Sequence, residues 1–149
     1  MYTSYMKVLF IEDDPQQMDI FKIYFERNGI EVERSYDGPD GVKVAENWKP
    51  DFIVLDIRME GMDGLEVMRV LQKSEVTKNI PVIAYTNYDP KLIVDELLNL
   101  GVIVVWEKTV VRPPELVEQI KKMFDIINNH DSVGDTFPVL RDKLRLVVD

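Results

Sequence analysis

Cysteine is absent from the 149-residue chain, which excludes a disulfide framework and any thiolate zinc site. Histidine is nearly absent: His130 is the only one, so a multi-histidine metal centre is excluded too, and its polar surroundings read as a solvated position. No apolar run approaches the roughly 18 residues that a membrane-crossing helix needs, and the first residues lack the charged-then-apolar pattern of a secretion signal. Positive charge is also scarce. Eighteen Lys and Arg against 27 Asp and Glu leave a net charge of −9, which argues against direct nucleic-acid binding by bulk electrostatics. A soluble, cytoplasmic protein with no membrane association is the expectation.

What is present suits one compact α/β domain with a short appendage. Hydrophobic residues make up 46% of the chain, enough for a sizeable core. Four runs, at 8–11, 52–55, 82–86 and 102–106, are strand-sized, rich in Val and Ile, and apolar at consecutive positions. That pattern fits strands buried on both faces, as in a parallel sheet covered by helices. A fifth segment, 31–36, alternates as an edge strand does.

Helical patterns lie between the runs. Asp14 caps a helix with Pro15 at its first position, an apolar stripe of Met18, Phe21 and Phe25, and Gly29 as its stop. Asp63 caps another carrying Leu65, Met68 and Leu71, and a further helix covers roughly 39–47. Asp89-Pro90 repeats the cap-then-proline start for a helix to Leu100, and Pro113 or Pro114 opens a last one with Leu116, Ile120, Met123 and Ile127 on one face. Five β/α alternations predict a doubly wound, flavodoxin-like parallel sheet with five helices. In such folds ligands sit beyond the carboxyl ends of the strands. Residues 129–149 fall outside the repeat: Phe137, Leu140, Leu144 and Val147 recur at spacings of three and four, an amphipathic helix or linker. The domain is expected over 1–128 and the extension over 129–149.

The strand ends gather chemistry. The run at 8–11 ends in Glu12-Asp13-Asp14, that at 52–55 in Asp56, that at 82–86 in Thr86, and Lys108 follows that at 102–106. Clustered carboxylates disfavour joint ionisation unless a counter-charge is supplied. A hard divalent cation supplies it, and all-oxygen ligands suit Mg²⁺. Asp56 would then be a carboxylate nucleophile beside a Lewis acid and a lysine, a phosphoryl-transfer arrangement. Taken singly, each residue has an ordinary reading: acids favour helix N-termini, threonines end strands, and lysines lie on surfaces.

Order and spacing together carry a resemblance. From about Met6 to Asn128, Val8-Leu9-Phe10-Ile11-Glu12-Asp13-Asp14, Val54-Leu55-Asp56, Met62-Asp63-Gly64, Thr86, and Gly101 followed seven residues later by Lys108 resemble the receiver domain of two-component response regulators. The resemblance implies strand order 2-1-3-4-5 and Asp56 as phosphoacceptor. It implies Mg²⁺ ligated by Asp13, Asp56, the backbone carbonyl of Arg58 and, mostly through water, Glu12. Thr86 would donate its hydroxyl to the phosphoryl group and Lys108 would pair with another of its oxygens, while Asp14 stays a helix cap. The implied partners are a sensor histidine kinase or phosphotransfer protein and an output partner of unspecified kind. The chain would be a switch that assists its own phosphorylation and dephosphorylation, not an enzyme acting on other substrates. By the same resemblance Arg58 and Tyr88 cover the approach of water to the phosphoryl group, so slow self-dephosphorylation is expected.

Several positions depart from the family pattern. Glu60 stands where a proline usually follows the loop methionine, which suggests a looser, more acidic loop. Asn87 replaces a small residue. Thr109 replaces the proline of a cis bond after the lysine; a cis bond without proline costs about 3–4 kcal/mol, so trans is expected. Val105 stands where an aromatic usually reports phosphorylation, and strand parity sends Trp106 to the opposite face. Signalling is therefore expected to travel through Thr86, the segment 87–91 and the helix after it.

Other readings are separable. A receiver-like interaction domain independent of phosphorylation would not need the complete acid, hydroxyl and lysine set. A dehalogenase-like phosphatase requires a second aspartate two residues after the nucleophile, where Arg58 stands. A flavin carrier rests on fold alone. No DNA-binding or enzymatic output domain fits into 129–149, so either a stand-alone receiver or part of a longer regulator is expected, with the terminal stripe available for self-association into a homodimer or for docking on the domain.

Overall fold

A computed structural model describes residues 6–87, 91 and 93–128. The elements alternate along the chain: β1 (Lys7–Ile11), α1 (Pro15–Arg27), β2 (Glu31–Ser35), α2 (Gly38–Trp48), β3 (Phe52–Leu55), α3 (Gly64–Lys73), β4 (Val82–Thr86), α4 (Val94–Asn99), β5 (Val104–Glu107) and α5 (Pro113–Asn128). The strands form one parallel sheet in the order β2-β1-β3-β4-β5. The doubly wound expectation and its strand order are both met.

Apolar runs become strands here because helices cover both faces. Every residue of β3 and β4 is buried, as are all but the first of β1. The two faces are filled differently. Phe10, Phe21, Phe25, Tyr85 and Trp106 pack with residues of α5 on one face, while Leu9, Ile11, Ile53, Leu55, Val67 and Leu71 fill the other. Phe10 stacks on Phe21 with ring centres 5.0 Å apart and meets Phe25 edge-on at 4.9 Å. Such pairs add about 0.5–1.5 kcal/mol beyond area burial. Trp106 does face away from Val105: Trp106 joins the aromatic side and Val105 packs against the aliphatic side.

Caps begin three helices. Asp14 accepts the amides of Gln16 and Gln17, Asp37 that of Asp40, and Asp63 that of Glu66. Gly29 ends α1 at φ 75°, a left-handed conformation that glycine adopts without a Cβ penalty. Gly64 is required by proximity: a Cβ there would lie 2.6 Å from Ile57 Cα, so α3 can start directly against the strand-end loop. No cis peptide bond occurs among the described residues, and Lys108–Thr109 is trans as expected.

Two boundaries differ from expectation. β5 begins at Val104 rather than Val102; Val102 and Ile103 are 0% and 3% exposed, so their apolarity reports burial rather than strand pairing. α4 begins at Val94, with Ile93 at its cap position and no capping side chain. The Asp89-Pro90 start lies outside the described residues, as do Tyr88, His130 and the stripe at Phe137, Leu140, Leu144 and Val147. No described helix is long and apolar enough to cross a membrane.

Candidate functional site

The strand register assembles the site. Ile11 pairs with Leu55, so the residues that follow, Glu12 and Asp56, leave the sheet side by side. Backbone bonds pin them: Asp56 N–H donates to the Ile11 carbonyl at 2.9 Å, and Glu12 N–H donates to that of Ser35 at 3.0 Å. Thr86 ends β4, and the Lys108 amide donates to its carbonyl at 2.9 Å, closing β5 against β4. A cleft of about 370 Å³ results, lined by Glu12, Asp13, Asp14, Gln17, Asp56, Arg58, Thr86, Asn87 and Lys108. All six residues predicted from sequence therefore meet on one edge of the sheet.

Carboxylate oxygens of Glu12, Asp13 and Asp56 lie within 4.8 Å of one another. Glu12 and Asp56 are buried at 4% and 7% exposure, and Asp13 is exposed. This is an uncomfortable grouping of like charges. Burial first, then hydrogen bonding to Asp56 and its negative charge, push the Glu12 carboxyl from its ordinary 4.5 up to about 8, against the opposing pull of Lys108. A site that resists holding its second negative charge is one a divalent cation relieves. Three carboxylates opening on a cleft fit the oxygen-donor preference of Mg²⁺.

Lys108 brings positive charge to the carboxylates. Its Nζ donates to Glu12 Oε2 at 2.8 Å and to Gln17 Oε1 at 2.7 Å, and lies 3.8 Å from Asp56 Oδ2. It also sits 5.9 Å above the Tyr85 ring, whose hydroxyl donates to the Val111 carbonyl and whose pKa burial pushes up to about 12. Arg58 N–H donates to Asp56 Oδ1 at 3.3 Å, orienting the carboxylate from the following loop.

Two contacts were not anticipated from sequence. Glu60 N–H donates to Asp13 Oδ2 at 3.4 Å, a bond that proline, lacking the amide hydrogen, cannot make. Rather than only loosening the loop, Glu60 ties it to a carboxylate of the cluster. Gln17 is the other. It stands three residues after the cap Asp14, the position whose side chain commonly reaches back in a capping box, and that spacing was the available signal.

The profile described as the response regulator receiver domain matches residues 8–121. Protein PilH of Pseudomonas aeruginosa is 36% identical over 83 residues, spanning 56% of this chain and 69% of its own. The polar-differentiation response regulator DivK of Brucella anthropi is 33% identical over 84 residues, spanning 56% of this chain and 68% of its own. Among solved structures, a CheY-like response regulator receiver domain protein from Methanospirillum hungatei superposes with a TM-score of 0.75 at 28% identity. It covers 82% of this chain and 95% of that one.

Proposed function

The chain belongs to the response regulator receiver domain family, a family of phosphorylation-dependent switches, and from that premise we propose that Asp56 is the phosphoacceptor. The observation that carries the proposal is the convergence of three carboxylates within 4.8 Å on a cleft that also holds Lys108 and Thr86. Glu12, Asp13, Asp56 and the Arg58 carbonyl would hold Mg²⁺. When bound, the ion neutralises the carboxylates and the oxygens of the incoming phosphoryl group.

The donor is a phosphohistidine on a sensor histidine kinase or phosphotransfer protein. An Asp56 carboxylate oxygen attacks phosphorus; the new P–O bond forms as the P–N bond breaks, and the imidazole leaves with the electron pair and takes up a proton. Thr86 donates its hydroxyl to one phosphoryl oxygen and Lys108 pairs with another. The product carries about −1.5 to −2 charge at a buried position, and an output partner reads the surface that rearranges around it. This activity resides in residues 1–128, with 129–149 as an appended segment.

Incubation with acetyl phosphate and Mg²⁺ tests the reading. One acid-labile phosphate per wild-type chain, absent in Asp56→Asn, is the expected result. No uptake by the wild type would overturn it in favour of a phosphorylation-independent interaction domain.

A further inference from the structure

An ammonium group has three N–H donors, and their allocation in Lys108 is unequal. Two are spent at full hydrogen-bond length, on Glu12 Oε2 at 2.8 Å and Gln17 Oε1 at 2.7 Å. Asp56 Oδ2, at 3.8 Å, is beyond that length. The lysine is thus drawn toward β1 and α1 rather than onto the phosphoacceptor.

Gln17 is itself held in a definite orientation. Its Nε2 donates to Asp14 Oδ2 at 3.2 Å, while Asp14 Oδ1 accepts the first-turn amides of Gln16 at 3.0 Å and Gln17 at 3.4 Å. Exchanging the amide's oxygen and nitrogen would set its NH₂ against the Lys108 ammonium and its oxygen against the Asp14 carboxylate, losing both bonds. The helix cap therefore fixes the amide, and the amide fixes the lysine. Both Gln17 and Lys108 line the cleft beside Asp56, so this holding is local to the reacting group.

We propose that Gln17 is a positioning residue that parks Lys108 on Glu12, so that the lysine reaches a phosphoryl group on Asp56 only by giving up the Gln17 carbonyl. Gln17 competes with the phosphoryl group for the position of the ammonium and sets how readily the modified state forms. The inference rests on the phosphoacceptor reading of Asp56, but the parking exists before any phosphoryl group arrives.

Two measurements on the full chain separate parking from competition. The first is ¹⁵N NMR of the Lys108 ζ-ammonium in the protein without Mg²⁺. Held by two acceptors, it should exchange slowly enough with water to give a signal, and that signal should vanish or shift toward free lysine in Gln17→Met, which keeps side-chain length but has no carbonyl. The second is titration with beryllofluoride in the presence of Mg²⁺, followed by the amide NMR shifts of Thr86 and Asn87, which line the cleft. Gln17→Met should bind the mimic about five-fold more tightly, and Gln17→Glu, whose charge grips the ammonium harder, should bind it more weakly. A purely structural role predicts weaker binding in both variants. An unchanged ammonium signal in Gln17→Met, or affinities that move in the same direction in both variants, would overturn the inference. Failure of the wild type itself to bind beryllofluoride would overturn the phosphoacceptor reading and the competition with it, leaving the ammonium signal to judge the parking alone.

Discussion

Asp13 and Asp56 stand beside α1 and α3, helices of 13 and 10 residues that each begin at an aspartate accepting first-turn amides. Thr86 stands on the side of α4, a helix of six residues that begins at Ile93 with no capping side chain. α3 buries Gly64, Val67, Met68 and Leu71, whereas α4 buries only Leu97. Helices so short have little stability of their own and depend on the surface beneath them. The carboxylate half is thus a rigid holder for charge, and the half containing Thr86 and α4 is the part with least to lose by moving. A switch needs both: a fixed place where the charge changes, and a neighbouring element of low local stability.

The largest expected effects test that contrast directly. Leu71 and Leu97 are both 0% exposed. Leu71→Ala should cost about 3 kcal/mol in global unfolding, within the range for a buried leucine. Leu97→Ala should cost clearly less in the same denaturant titration, because α4 can open without the rest. Equal losses would remove the distinction between the halves. Beryllofluoride with Mg²⁺ should sharpen it, shifting amides of Thr86, Asn87, Lys91 and α4 more than those of α1 and α3. Changes confined to residues around Asp56 would contradict the proposed route.

Next comes the carboxylate half itself. Asp13→Asn should weaken Mg²⁺ binding at least ten-fold, equivalent to about 1.4 kcal/mol, as read by fluorescence or NMR titration. An unchanged affinity would remove Asp13 from the ligand set.

The pH dependence follows from Glu12. Its carboxyl is pushed up from 4.5 to about 8, first by burial and then by Asp56. Between those values the unfolded chain has released a proton that the folded, metal-free protein retains. This group's stabilisation is therefore complete below pH 4.5 and is lost as pH rises toward 8. Thermal unfolding of the wild type without Mg²⁺ should lose stability across that window relative to Glu12→Gln, and Mg²⁺ should restore it increasingly as pH rises. Parallel pH profiles for the two proteins would contradict the shift.

The smallest effect expected is at the link between the halves. Arg69 Nη2 and Glu96 Oε1 are 3.1 Å apart, joining α3 to α4 with side chains 48% and 50% exposed. Exposed pairs contribute about 0–1 kcal/mol, so Arg69→Ala should leave global stability within about 0.5 kcal/mol and fade further with salt. A larger loss would show α4 to be fastened more firmly than its single buried side chain implies.

Legibility in the sequence followed the range of the interactions. Strand runs, the Asp14 and Asp63 caps, and the acids and lysine at strand ends are written in a few adjacent residues each, and the structure brings those residues together. Trp106 faced as strand parity required. Gln17 escaped notice because its partner Lys108 lies 91 positions away, and its spacing from the cap Asp14 signals only the local bond. The Glu60 contact escaped because it is made by a backbone N–H, visible in sequence only as the absence of proline. The start of β5 was misplaced because apolarity records burial and not hydrogen-bond pairing.

The central claim, that Asp56 carries the phosphoryl group, has one direct test. The chain is incubated with acetyl phosphate and Mg²⁺ and then treated with borohydride, which reduces an aspartyl phosphate to homoserine, and the mark is located by peptide mass spectrometry. The account predicts the mark at Asp56 alone, and its loss when Mg²⁺ is chelated. A mark at another carboxylate, or none in the presence of Mg²⁺, would contradict it.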